Sequence, residues 1–190
     1  MKSISVKKDI QQAQLALGFK TFGVHDERRY VMTVIDAIMG RGMASRLFVE
    51  VREKRGLSYD ISSRMQFFED YGMWAITAGL DAKRKDECLK VIEDEIEKLR
   101  TTKVTPKELK RIKEYLIGNF KIANEKLSHK MFFYGSTILS FGRLVMPEEQ
   151  IAGVKKVTAA QILKVAQEVF QDKNKAISWV LPRASYPVKG

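Results

Sequence analysis

Two hydrophobic spacings alternate along this chain, and their order restricts its fold more than any other feature. Apolar residues recur at every second position over 10–23, the spacing of a half-buried strand that Gly23 closes. The same spacing returns on both sides of a short turn at 69–72, which predicts a β-hairpin over 59–80. A last strand is predicted for the segment KAISWVLP at 175–182.

The segments between the strands carry apolar residues at every third and fourth position, which predicts helices. The clearest stripes lie over 30–39 and 88–99, and Ser45 is a plausible N-cap for a helix that Gly56 ends. Two capping boxes, at Thr105–Glu108 and Thr158–Gln161, begin further helices.

The helix after Thr105 is expected to be long and to run on or break near Gly135. Its inward positions are predicted to be Leu109, Ile112, Leu116, Phe120, Ala123 and Leu127. The aromatic cluster Met131–Tyr134 is expected in the core, and Pro147 is expected to open a short helical turn.

Strands joined by hairpin and split connections exclude a repeated βαβ architecture. The expected fold class is α+β: a largely antiparallel sheet packed against helices in a two-layer sandwich. A chain of 190 residues with 45% apolar residues can bury a core without staples. We therefore expect a single domain over 1–190, with tails at 1–9 and 183–190.

The chain offers few metal ligands. Only two histidines, His25 and His129, and one cysteine, Cys88, are present, and no H-x-x-E-H motif can be written. Catalytic zinc usually takes three protein ligands, so a self-contained metal hydrolase is not expected. Each histidine is interpreted as a surface or hydrogen-bonded residue, and Cys88 as a buried small hydrophobe.

The net charge of +11 is compatible with an acidic partner such as nucleic acid or anionic lipid. Lys and Arg are, however, spread along the chain and interleaved with Glu, which favours a solvated basic surface and no nucleic-acid or membrane partner. No apolar run follows the basic N-terminus, and no stretch approaches the length of a membrane span. A cytoplasmic protein is expected.

The segment from Gly40 to Tyr59 concentrates the candidate chemistry. The Gly40–Gly42 turn before a helix is only a weak phosphate-binding signal, because no P-loop Lys-Ser/Thr follows. Arg52 and Tyr59 flank the Gly56 turn, and both can donate hydrogen bonds to a carbonyl oxygen or a developing oxyanion. Spacing alone favours a plainer interpretation, in which Arg52 neutralises a helix C-terminus and Tyr59 is a core strand residue. The acidic residues Glu50, Glu53 and Glu108 resemble surface or capping residues.

The string SRLFVEVREKRGLSY at 45–59, with the hairpin strand DYGMWAITAG at 70–79, resembles the C-terminal-type domain of the pitrilysin/insulinase/mitochondrial processing peptidase family. The resemblance extends over nearly the whole chain and implies zinc metallopeptidases built from two similar α+β halves that close around a peptide. In that family the first half carries H-x-x-E-H and zinc, and its Glu is the general base. This chain resembles the second, noncatalytic half and is expected to be inactive alone.

The resemblance also implies roles for particular residues. In active members an Arg and a Tyr of the second half reach the substrate near the zinc, and they fall on Arg52 and Tyr59 here. The Gly40–Gly42 turn corresponds to a glycine-rich loop of the noncatalytic processing-peptidase subunit, but it is shorter. The implied partners are a zinc-bearing half, in the same or a separate chain, and a peptide or unfolded substrate.

Two other functions stay open: a structural or assembly subunit and, ranked well below it, a basic nucleic-acid-binding domain. The chain resembles inactive respiratory-complex core proteins as well, so a structural or assembly subunit is the alternative. The isolated domain could also form a homodimer through the face that normally meets its mate.

Overall fold

The computed structural model describes residues 2–183, which form one five-stranded sheet with helices on one side. The strands are β1 (Lys2–Lys8), β2 (Ala13–Thr21), β3 (Ser58–Phe67), β4 (Gly72–Leu80) and β5 (Lys175–Pro182). Their order in the sheet is β1-β5-β2-β4-β3. Only β1 and β5 pair in parallel, and every other neighbouring pair is antiparallel. The expected largely antiparallel sheet is confirmed.

Six α-helices and one π-helical segment, with short 3₁₀ turns at Ala82–Arg84 and Asp172–Asn174, complete the described residues. They are α1 (Arg29–Met39), the π-helix (Phe48–Glu53), α2 (Lys85–Thr101), α3 (Pro106–Ala123), α4 (Leu127–Phe141), α5 (Pro147–Lys156) and α6 (Ala159–Val169). Along β2 the side chains alternate between buried and exposed, so helices cover one face of the sheet and leave the other open. The two-layer α+β class is confirmed.

The core lies between the covered face of the sheet and α1, α2 and α6. Leu17, Trp74 and Ile76 enter it from the central strands, and α1 buries eight of its eleven residues against them. Full burial of one such side chain stabilises the fold by about 1.5–3 kcal/mol. Cys88 is buried in this core, as predicted.

The N-terminal segment differs from its prediction as a tail. Residues 2–8 form the edge strand β1, although all seven side chains are exposed. Backbone pairing with β5 holds this strand, with Lys2 opposite Ala176 and Lys8 opposite Pro182. The other predicted tail is 183–190. All of it except Arg183 lies outside the described residues.

The predicted long helix is two helices. The chain turns at 124–126, between α3 and α4, and Gly135 lies inside α4. The prediction that Leu127 faces inward is wrong, because its side chain is 83% exposed. The core prediction also fails for Met131 and Phe132, which are exposed.

Candidate functional site

Arg52 and Tyr59 are joined by a compact unit made of the π-helix, a glycine turn and the start of β3. The helix predicted over 45–55 begins as expected, with Val49 N donating to Ser45 O at 3.0 Å. It then widens, and Lys54 N donates to Val49 O at 2.9 Å, a bond across five residues. Gly56 follows with φ +56, in the left-handed region that glycine adopts without strain. The chain thus reverses within one turn of Arg52.

Arg52 presents its guanidinium to solvent. Its Cζ lies 4.9 Å from the centre of the Phe48 ring, and no carboxylate among residues 2–183 comes within 4.0 Å of it. Ring stacking of this kind holds a guanidinium in place while leaving its N–H donors available. The Phe48 ring therefore holds the Arg52 guanidinium in place, while its positive charge is left without a carboxylate partner in the described residues.

The neighbouring charges on the same helix are paired with one another. Glu50 accepts from Arg55 and Lys54, each at 2.7 Å. The hydrogen bonds from Arg55 and then Lys54 lower the pKa of Glu50 to about 2. Glu50 therefore stays ionised and engaged, and is no acid–base partner for Arg52.

Tyr59 is exposed because β3 carries a bulge at this residue. Ser58 pairs with Leu80 and Asp60 with Gly79, so Tyr59 is an extra residue without a partner on β4. Ser58 and Ile61 are buried, whereas the Tyr59 side chain is 63% exposed. The prediction that Tyr59 is a core strand residue is wrong.

The Gly40–Gly42 loop is pinned between β3 and α3. A Cβ on Gly40 would lie 2.4 Å from Ser63 N, so only glycine fits against the strand here. Gly42 has φ +81 and lies against the Tyr115 hydroxyl. Ser63 is four residues beyond Tyr59, about 13 Å along an extended strand. The loop and the Arg52–Tyr59 unit thus share β3 without meeting.

Asp36 anchors this loop, and sequence reasoning missed it. Its carboxylate is fully buried, and Oδ1 accepts from Ser63 Oγ at 2.6 Å and Trp74 Nε1 at 3.0 Å. Oδ2 has no aligned donor and faces Arg41 Nε at 2.7 Å. The signal in the sequence was a lone carboxylate inside the apolar stripe of α1. A buried charge of this kind requires partners, and here they come from β3, β4 and the loop.

An ion pair joins the residues just before the π-helix to α3. Arg46 donates to both carboxylate oxygens of Glu108, at 2.8 Å and 2.7 Å. The predicted capping box is therefore only half formed, since Thr105 Oγ1 accepts from Glu108 N while the Glu108 side chain binds Arg46.

The two histidines lie apart from this unit. His25 Nε2 lies 2.5 Å from Glu69 Oε1, which confirms a satisfied surface histidine. His129 lines a pocket of about 430 Å³ between α1, α3 and α5, and neither Arg52 nor Tyr59 lines that pocket. Within residues 2–183 no group of three His, Cys, Asp or Glu side chains could hold a metal ion.

A family model described as the Peptidase M16 inactive domain matches residues 2–116. The chain belongs to this family. An uncharacterized zinc protease of Bacillus subtilis, YmxG, is 31% identical over 98% of this chain. The chain spans only 45% of that relative's length.

Solved structures share the fold. A peptidase M16 inactive domain from Pseudomonas fluorescens matches 97% of this chain with a TM-score of 0.83 and 22% identity, over 44% of its own length. A chain of complex III2 from Candida albicans matches 94% of this chain with a TM-score of 0.83 and 16% identity, over 45% of its own length. The chain is thus a noncatalytic M16 C-terminal domain of the type found in zinc protease-like proteins.

No helix among residues 2–183 combines the length and the apolar character that crossing a membrane requires.

Proposed function

We propose that residues 1–190 form the noncatalytic half of an M16-type zinc peptidase, which closes over an extended peptide held by a zinc-bearing half. Arg52 and Tyr59 donate hydrogen bonds to the peptide and to the charge that develops on its scissile carbonyl oxygen. The chain is inactive alone, because its partner half supplies the metal.

The observation that carries this proposal is that two exposed donors, the unneutralised Arg52 guanidinium and the Tyr59 hydroxyl, lie on one compact unit. The bulge in β3 exposes Tyr59, and the Phe48 ring supports the Arg52 guanidinium without neutralising its charge. Arg52 is held against Phe48, and Tyr59 is directed outward by the bulge, before any substrate arrives. Donors positioned in advance are the arrangement that stabilises a developing oxyanion most strongly.

Side chains, rather than the edge of β3, carry the contact with substrate. The Ser63 N–H on this edge already faces Gly40 O at 3.4 Å, so the loop obstructs an added strand at this point. The exposed side chains of Arg52 and Tyr59 are not covered by this loop.

Zinc in the partner half would supply a Lewis acid and an activated water. This chain does not offer a site for that zinc ion, because no three His, Cys, Asp or Glu side chains lie close enough together within 2–183 to bind it. Its part in the reaction is therefore to bind and orient the peptide, and to donate from Arg52 and Tyr59.

The test uses the protein assembled with its zinc-bearing half. Arg52→Ala and Tyr59→Phe are each expected to lower kcat/KM about tenfold or more, as loss of a transition-state donor does. Matched controls are Arg64→Ala, an exposed arginine further along β3, and Tyr71→Phe, an exposed tyrosine in the hairpin turn. Unchanged turnover in both site variants, or an equal loss in the controls, would contradict the roles of the pair.

A second candidate is a structural or assembly subunit, favoured by the likeness to the complex III2 chain. The two functions differ in their partner. Peptide cleavage by the assembled protein that a chelator abolishes and zinc restores supports the peptidase half. A stable assembly whose partner lacks H-x-x-E-H and cleaves nothing supports the structural subunit.

A further inference from the structure

Helix α4 is an apolar helix that its own domain leaves largely uncovered. Only Thr137 is buried among its residues, whereas five large apolar side chains are exposed. These are Leu127, Met131, Phe132, Ile138 and Leu139, and Leu139 is 88% exposed. A contiguous apolar surface of this kind usually marks a binding interface.

The five side chains share one side of the helix. At 100° per residue they fall within an arc of about 140°. The opposite side meets the domain itself, where the Phe133 ring packs on Phe120 at 5.4 Å and the Phe141 ring packs on His25 at 5.4 Å. The exposed arc, called the α4 face below, therefore points away from everything else in the described residues.

Gly135 lies in the middle of the α4 face. A Cβ built on it meets nothing within 4 Å. Glycine inside a helix costs about 1 kcal/mol relative to alanine, and no contact in the described residues repays that cost. A residue without a side chain at this point gives a covering surface close access to the helix backbone.

We infer that the α4 face is the docking surface for the zinc-bearing half, an inference that rests on the proposed function. More than half of the length of the Bacillus subtilis relative lies outside the match, and a zinc-bearing half of that size would be large enough to cover the face. The face joins the two halves without using Arg52 or Tyr59.

Charge favours this occupant over a second copy of the chain. The sequence of α4 contains no carboxylate, Lys126 and Lys130 flank its first turn, and the chain carries +11. Two copies would bring like charges together around the face, which opposes association. The matching surface is therefore apolar at its centre and lined by carboxylates at its rim.

The test measures how fast a thiol on the α4 face is alkylated. Cys88 is buried, and burial raises the pKa of its thiol to about 11, so the native cysteine gives little background. Leu139→Cys is labelled with iodoacetamide in this chain alone and in the protein assembled with its zinc-bearing half, with mass spectrometry of the labelled peptide. Ile4→Cys, on the exposed strand β1, is the matched control.

The expected result is labelling of Leu139→Cys about tenfold or more slower in the assembled protein, with Ile4→Cys unchanged. Co-elution of the two halves with no protection of Leu139→Cys would overturn the docking surface and leave the proposed function standing. Halves that do not associate would contradict the proposed function itself. Protection that grows with the concentration of this chain alone would assign the face to a second copy and overturn the inference.

A second variant separates docking from folding. Phe132→Ser with Leu139→Ser is expected to weaken association of the halves at least tenfold while the melting temperature of this chain alone changes little. Unchanged association would contradict the inference.

Discussion

Helices α1 and α4 are both apolar, yet the molecule treats them in opposite ways. α1 buries eight of eleven residues, whereas α4 buries only Thr137. Overall apolar content does not separate them, because both helices are rich in apolar residues, although the apolar stripe of α1 is the more one-sided. What differs is the surface opposite each helix: α1 faces the sheet of its own domain, and the α4 face has no counterpart within 2–183. Apolar content alone therefore does not show whether a helix is covered by its own domain.

The largest expected difference between these helices is in side-chain truncation. Ile35→Ala on α1 removes atoms from a fully buried site and should lower the free energy of unfolding by about 3 kcal/mol. Leu139→Ala on α4 should change it by less than about 0.5 kcal/mol, because the side chain is exposed. Denaturant titration of this chain alone measures both. Equal losses would mean that α4 is covered in the free chain.

Asp36 sharpens the comparison, since α1 buries a charge where α4 exposes apolar atoms. Asp36→Asn keeps the shape but removes the ionic attraction to Arg41, and should cost about 2 kcal/mol. The Gly40–Gly42 loop should loosen as well, with faster amide hydrogen exchange at 40–42. Stability and exchange equal to those of the unmodified protein would show that Asp36 does not anchor the loop.

The smallest effects should differ in sign between two glycines. Gly40→Ala, at the end of α1, forces a Cβ to 2.4 Å from Ser63 N and should destabilise the fold by about 1–2 kcal/mol. Gly135→Ala, inside α4, meets no atom and should stabilise this chain alone by up to about 1 kcal/mol. Melting curves of the two variants test this. A shared sign would break the contrast between the helices.

The spacing of apolar residues and the capping motifs predicted most of the fold, but not the edge strand β1 or the break between α3 and α4. The β2 strand, the β3–β4 hairpin and the Thr158 capping box, which is complete, all follow from neighbouring residues. β1 does not, because its side chains are all exposed and, within residues 2–183, backbone pairing with a strand more than 170 residues away holds it in place. The break at 124–126 was misplaced because the apolar spacing continues across it.

The candidate site divides in the same way. Arg52 and Tyr59 were singled out as hydrogen-bond donors from their positions beside the Gly56 turn, and the resemblance then implied their role. Spacing alone placed Tyr59 in the core, because alternation along a strand cannot show a bulge. Asp36 was missed because its partners Ser63 and Trp74 are distant in sequence. The exposure of α4 was missed because apolar content predicts a buried helix, whether or not the same domain buries it.

The parallel pairing of β1 with β5 has a mechanical consequence. Because these strands run in the same direction, their outer ends, Lys2 and Pro182, lie at opposite ends of the same ladder. A pull applied through the two ends of the domain would therefore load the ladder in shear, so that its hydrogen bonds resist together. Antiparallel strands gripped in this way would instead unzip one bond at a time. The strand with no buried side chain would thus belong to the ladder that bears the load.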